Sequence, residues 1–146
     1  RKSRLLARPG GAVLTTISLD DAVLALAEPS GGYRRVEYAP PCAREFAYVG
    51  FVREGDLDQP NYGQLIGCGR GGGQASASFG EFAAAPRIAV AAGRFLLDTE
   101  RPQVVGCVRA ATELPDLGDG RVAVPTLWGP LQVRLAPEGF TGPCRR

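Results

Sequence analysis

Short runs of β-type residues, separated by glycine and proline, place the strongest constraint on how this chain can fold. The 146 residues include 20 glycines and 12 prolines, and these two residue types favour turns over long helices. The segment 45–53 (EFAYVGFVR) has the strongest β propensity. We predict a mainly β fold, all-β or β-rich α+β, with about eight short strands in antiparallel sheets that form a sandwich or a barrel.

The predicted elements follow from local patterns along the chain. Ser18 and Asp21 have the spacing of a capping box, which predicts a short helix over 19–28. A second helical turn is expected after Ser78, and polar turns are expected at 54–61 and 114–120. In the last strand Leu131, Val133 and Leu135 are predicted to face inward. The predicted strands are 12–17, 33–39, 45–53, 62–68, 87–98 (with a bend at Gly93), 103–110, 121–126 and 131–135.

Four widely spaced cysteines, Cys42, Cys68, Cys107 and Cys144, predict two disulfide bonds. None of them belongs to a CxxC motif, which argues against zinc-ribbon and thioredoxin-like sites. Buried free thiols and a Cys₄ metal site are the alternatives. Two disulfides imply an oxidising, extracytoplasmic compartment. The three connectivities stay open, with a preference for the sequential pairing Cys42–Cys68 and Cys107–Cys144.

The distribution of charge suggests how the chain is organised. The net charge is +2, but six of the basic residues lie at the two ends. The rest of the chain contains 11 basic and 15 acidic residues. We therefore predict a basic N-terminal arm or linker at 1–10, followed by one domain at 11–144. A nucleic-acid partner is not expected, because its binding requires positive charge on the folded surface.

The absence of methionine predicts a processed chain or a piece of a larger exported or envelope protein. No apolar stretch is long enough for a transmembrane helix, so no integral membrane segment is expected.

The sequence contains no histidine, which removes the usual general base and the mixed His/Cys zinc sites. A cysteine nucleophile would have no imidazole partner. The remaining candidate acids and bases are Glu45, Glu54, Asp56 and Asp58, which suggest a carboxylate-dependent glycan hydrolase or a weak Ca²⁺ site. We predict that the chain is not an enzyme and binds neither a metal nor a cofactor.

The glycine-rich segment 67–74 (GCGRGGGQ) contains a GxGxxG pattern, but it lacks the βαβ context of a dinucleotide site. It is interpreted as a surface loop. A stoichiometric inhibitor of a hydrolase would offer such a loop to its target.

Aromatic residues provide the candidate recognition surface. Tyrosine is favoured in binding sites because it is large, rigid and amphipathic. Trp128 is interpreted as a core residue. The chain is therefore predicted to be a secreted or envelope-associated binding domain that recognises another protein, with Tyr33, Tyr38, Tyr48, Tyr62 and Arg70 as candidate contact residues.

Overall fold

The computed structural model describes residues 2–18, 23–39, 45–57, 79–126 and 129–142. Within these ranges there is one helical turn, α1 (Glu54–Leu57), and one 3-10 turn at Gly80–Phe82. The strands are β1 (Lys2–Leu6), β2 (Val13–Ser18), β3 (Val23–Ala25), β4 (Tyr33–Tyr38), β5 (Phe46–Arg53), β6 (Arg87–Val90), β7 (Phe95–Leu97), β8 (Val104–Val108), β9 (Thr112–Gly118), β10 (Arg121–Thr126) and β11 (Gly129–Leu135).

The eleven strands form one antiparallel sheet that does not close on itself. Its main order is β2-β1-β5-β8-β7-β11-β10-β9-β6, and β4 joins β5 to β3. The predicted mainly β, antiparallel architecture is confirmed. A sandwich or barrel is not confirmed. The described strands outnumber the predicted eight because β1, β3 and β9 lie where an arm, a helix and a turn were predicted, and because the segment 87–98 forms two strands.

The sheet forks at β5. Tyr48 of β5 pairs with Tyr38 of β4 and with Gly106 of β8, so β4 and β8 lie on opposite edges of β5. Phe51 of β5 pairs in the same way with β4 on one edge and with Leu6 of β1 on the other. The β1–β2 hairpin and the β8 branch therefore leave from the same edge of β5, one after the other.

Two glycines allow both branches to approach β5 closely. A Cβ atom at Gly50 would lie 2.5 Å from the Leu6 carbonyl oxygen, and a Cβ atom at Gly106 would lie 2.5 Å from the Ala47 carbonyl oxygen. Each contact would be with backbone, which cannot rotate away as a side chain can. The missing side chains at these two positions are therefore a condition for the fork.

Most strands contribute to one main core. This core contains Leu5, Tyr38, Tyr48, Leu96 and Leu114, among other residues, and each of these five is fully or almost fully buried. A second, smaller cluster contains Ala47, Val49, Phe95, Val104, Cys107 and Ala136, with Phe140 packed against it. Burial of apolar side chains in both clusters is the main source of stability for a sheet of short strands.

The first residues of the chain, predicted as an arm or linker, contribute β1 to the sheet. β1 pairs with β2 through five residue pairs and with β5 at Leu6. Leu5 has no exposed surface and Ala7 is buried. Sequence alone does not separate the two cases, because exposed basic residues such as Arg4 and Arg8 look alike beside a strand and on a tail.

The predicted helix over 19–28 is wrong for the described residues 23–25. These residues form β3, where Val23 pairs with Tyr38, Leu24 with Glu37 and Ala25 with Val36. A helix of ten residues is marginal in isolation, and strand pairing with β4 decides the local structure.

The predicted turn at 114–120 is also wrong over most of its length, because Thr112–Gly118 is a strand. Leu114 is fully buried, and β9 pairs with both β6 and β10. The turn occupies only Asp119 and Gly120, which have φ values of 56° and 75°. Positive φ at both central residues is the conformation that Asp-Gly favours in a two-residue hairpin.

The other predicted strands within the described ranges are confirmed with small shifts of their ends. The segment 87–98 forms two strands, β6 and β7, separated by a bend in which Gly93 has a φ of 94°. Residues 131–135 alternate as predicted, with Val133 buried and Gln132 and Arg134 exposed.

The expected loop at 54–61 begins with the helical turn α1, and the expected helical turn after Ser78 is the 3-10 turn. The predicted strand 62–68 and Trp128 lie outside the described residues.

The helices in the described ranges are single turns, and none has the length and apolar character required to cross a membrane.

Candidate functional site

A cleft of about 240 Å³ opens where the sheet forks. One wall is the turn of the β1–β2 hairpin, from Ala7 to Leu14, and another is the β7–β8 loop at 98–101. Leu131, Gln132 and Val133 of β11 complete the lining together with Val105 of β8. The β1 and β8 branches leave the same edge of β5, and each contributes to the lining, through Ala7 and Val105 respectively.

The floor of the cleft is apolar and its rim is charged. Ala7, Leu14, Val105 and Val133 line it as buried residues. The rim carries two exposed arginines, Arg8 and Arg101, together with the exposed Glu100 and the half-buried Asp98. An apolar floor with a few polar groups at the rim is the usual composition of a protein recognition site.

Hydrogen bonds shape the β7–β8 loop that forms one wall. The Asp98 carboxylate accepts a hydrogen bond from the Glu100 N–H at 3.2 Å, and the Asp98 N–H donates to the Gln103 carbonyl at 2.9 Å. Arg134 Nε donates to the Thr99 carbonyl at 3.2 Å. The short loop is thus held at its first two residues, which fixes the place from which Glu100 and Arg101 project.

The opposite wall is joined to this loop by one side chain. The Gln103 amide nitrogen donates to the Ala7 carbonyl and so bridges the two branches of the sheet. Within the hairpin turn the Gly11 N–H donates to the Arg8 carbonyl at 2.8 Å, and the Ala7 N–H donates to the Ala12 carbonyl at 2.9 Å. Both walls are therefore ordered by hydrogen bonds.

The structure does not gather the predicted recognition residues into one surface. Tyr38 and Tyr48 are each 1% exposed, so neither side chain can contact a partner without unfolding of the core. Tyr33 is half-buried at the start of β4. Tyr62 and Arg70 lie outside the described residues.

Tyr48 has a structural role in the core. Its hydroxyl donates a hydrogen bond to the Pro125 carbonyl and so connects β5 to β10 across the core. Burial raises the pKa of Tyr48 far above its usual value, and the neighbouring Tyr38 and Glu45 act in the same direction. Because the folded state keeps the proton, this group favours folding below pH 10, and its contribution declines as the pH rises above the unfolded value.

Glu45 lies far from the other described candidate acids, Glu54 and Asp56. Glu45 precedes β5 and Glu54 follows it, and an eight-residue strand separates such groups by roughly 30 Å. The two acids of a glycosidase lie within about 10 Å of each other. Glu54 forms an ion pair with Arg34 at 3.2 Å, and Asp56 lies two residues further on in α1. Asp58 is outside the described residues.

Among the described residues there is no group of three His, Cys, Asp or Glu side chains placed to hold a metal ion.

Cys107 lies in the second cluster, with 3% of its surface exposed. It takes part in a disulfide bond, and the three other cysteines lie outside the described residues. On either side of Cys107 the sheet places Ala47 of β5 and Phe95 of β7. All three belong to the second cluster, so the sulfur is enclosed on the same side of the sheet as Phe95.

The sequence carried one weak signal for the cleft: the run Asp98-Thr-Glu-Arg-Pro102 is a charged turn between two apolar segments. Nothing in it indicates that the turn lies beside the β1–β2 hairpin, because that proximity arises from the fork at β5. No family model, curated protein or solved structure matches this chain, so the assignment of the cleft depends on the residues described above.

Proposed function

We propose that this chain is a non-enzymatic, extracytoplasmic binding domain that recognises another protein through the cleft at the fork of the sheet. The observation that carries this proposal is the apolar floor surrounded by Arg8, Asp98, Glu100 and Arg101. The domain is proposed to be part of a larger exported or envelope protein.

The size of the cleft favours a side chain of a protein over a small molecule. Small-molecule sites usually enclose about 300–1,000 Å³, whereas this cleft has about 240 Å³. The cleft has room for one large or two smaller apolar side chains of a partner, and the neighbouring partner residues then reach the rim. Arginines of a rim can bind carboxylates with two parallel hydrogen bonds.

Reversal of charge at the rim tests this proposal. The partner is first isolated from the exterior of the producing cell by chemical cross-linking to the wild-type chain, and its affinity is then measured with purified components. Arg101→Glu is expected to weaken binding at least about fivefold, equivalent to about 1 kcal/mol, as the loss of an interface contact does.

Arg109→Glu serves as the matched control, since Arg109 is exposed but does not line the cleft. An equal loss of affinity in both variants would mean that general electrostatic attraction, rather than the cleft, determines binding. If both variants kept the wild-type affinity, the partner would bind at a surface other than the cleft.

The extracytoplasmic location depends on a framework of two disulfides, and we propose the pairing Cys107–Cys144 with Cys42–Cys68. The path of the C-terminal segment supports the first pair. The Phe140 ring packs on the Phe95 ring at a centroid distance of 5.7 Å, and a Cβ atom at Gly142 would lie 3.0 Å from side-chain atoms of Phe95 and Val104.

Phe95 is the cross-strand neighbour of Cys107. Position 144 is two residues beyond Gly142, and two residues span at most about 7 Å. A disulfide requires Cα atoms about 4.4–6.8 Å apart. A chain that passes Phe95 at Gly142 can bring position 144 within this distance of Cys107.

Peptide mapping without reduction tests the pairing. Arginines place the four cysteines on separate tryptic peptides, 36–44, 54–70, 95–109 and 135–145. We expect 95–109 linked to 135–145, and 36–44 linked to 54–70. A link between 95–109 and either of the first two peptides would refute the proposed pairing, and alkylation of all four cysteines before reduction would also remove the support for an oxidising compartment.

A further inference from the structure

Among the described residues, the outer edge of β6 has no strand paired with it. β6 is the last strand in the sheet order, and within the described ranges it pairs only with β9. Arg87 and Ala89 are exposed, Ile88 is half-buried against the main core and Val90 is buried. The sheet also ends at β2 and, on the β4 side of the fork, at β3. Exposed edges are sites where further strands add to a sheet.

The hydrogen-bond pattern shows which backbone groups of β6 point outward. The Asp116 N–H donates to the Pro86 carbonyl at 2.7 Å, so these two residues form a hydrogen-bonded pair between the strands. In an antiparallel ladder such pairs alternate with pairs that do not exchange hydrogen bonds. Ile88 therefore bonds to β9, whereas the N–H and C=O groups of Arg87 and Ala89 point away from it.

This edge is complementary to itself. Two copies of β6 placed antiparallel about a two-fold axis at Ile88 bring Arg87 of each copy opposite Ala89 of the other. The outward groups of these residues then form four hydrogen bonds, and the two Ile88 side chains meet on the core face. We propose that β6 pairs with β6 of a second copy of this chain, which joins the two sheets edge to edge.

Charge favours this register over one of its two neighbours. A shift by two residues in one direction would place Arg87 opposite Arg87 of the other copy, and like charges opposite each other destabilise a sheet. A shift in the other direction would place Ala89 opposite Ala89, and in that register Ala89→Glu would weaken the dimer. In the centred register each arginine faces an alanine. The Arg87 guanidinium is also drawn back over the Phe79 ring at 4.7 Å and donates to the Ala83 carbonyl at 3.1 Å. The cleft takes no part in this contact, so the inference is independent of the proposed function.

Sedimentation of the intact, disulfide-bonded chain over a range of concentrations measures the association. We expect the wild-type chain to form a reversible dimer at high concentration. Ala89→Pro is expected to abolish it, because proline removes an outward N–H while the hydrogen bonds between β6 and β9 remain.

Two substitutions of opposite charge at position 89 distinguish an effect on the dimer contact from an effect on the stability of the monomer. In the proposed dimer Ala89→Glu places a carboxylate opposite Arg87 of the second copy, and Ala89→Arg places a like charge there. Because the dimer contains two such pairs, Ala89→Glu is expected to lower the dissociation constant of the dimer about two- to thirtyfold. Ala89→Arg is expected to raise this constant by a similar factor.

The same two substitutions are expected to change the stability of the folded chain in the reverse direction, because Ala89 also pairs with the exposed Glu113 of its own chain. Arginine is therefore expected to raise the melting temperature and glutamate to lower it, so a change in folding cannot imitate a change in dimer affinity.

A chain that stays monomeric at all concentrations, both as wild type and as Ala89→Glu, would overturn the proposal. A dimer that the three substitutions leave unchanged would overturn it too, because association would then use another surface.

Discussion

Replacing Leu5 with alanine is expected to lower the free energy of unfolding by about 2–5 kcal/mol, as removal of a fully buried leucine does. Leu5 has no exposed surface and belongs to the main core. Loss of its side chain leaves a cavity beneath β1 and weakens the attachment of the β1–β2 hairpin, which forms one wall of the cleft. Denaturant unfolding followed by circular dichroism measures the change.

Arg8→Ala is the matched control, since Arg8 is exposed just after the same strand. Its effect on stability should stay within about 0.5 kcal/mol. If Leu5→Ala were as stable as this control, the first residues would be an arm outside the fold, and the cleft would lose one of its walls.

Replacing Gly50 with alanine is expected to destabilise the chain by about 1–3 kcal/mol, the usual cost of an extra group in a packed interior. The new methyl group would lie 2.5 Å from the Leu6 carbonyl oxygen and 2.9 Å from Leu5 Cγ. β1 must then move away from β5, so the β1 branch of the fork is disturbed directly.

Gly55→Ala is the control, because a Cβ atom at Gly55 meets nothing within 4 Å. Thermal unfolding of both variants provides the comparison. Equal melting temperatures for Gly50→Ala and Gly55→Ala would contradict the close approach of β1 to β5.

The sequence identified most strands because their residues carry a local signal. The aromatic and β-branched run of β5 and the alternation of Leu131, Val133 and Leu135 in β11 are independent of the rest of the chain. The described strands that were not predicted, at 2–6, 23–25 and 112–118, occur where pairing with a neighbouring strand decides the structure. Val23–Ala25 depends on β4, and Leu114 is buried because β9 has a strand on each side.

The candidate site was missed for a similar reason. Its residues come from the hairpin near Arg8, the loop at Glu100 and the strand at Val133, which are far apart in sequence. Only the fork at β5 brings them together, and the fork depends on close contacts at Gly50 and Gly106 that have no local signature. Aromatic content directed the prediction to Tyr38 and Tyr48, whose large apolar surface serves the core instead.

Site-specific photo-cross-linking shows whether a partner protein binds at the cleft. A photoreactive residue is placed at position 100 on the rim of the cleft, and in a second chain at position 138, where Glu138 is exposed but does not line it. After irradiation in the natural compartment, we expect a covalent adduct with one protein from position 100 and none from position 138. An adduct from position 138 alone, or the same adduct from both positions, would show that the partner does not bind at the cleft.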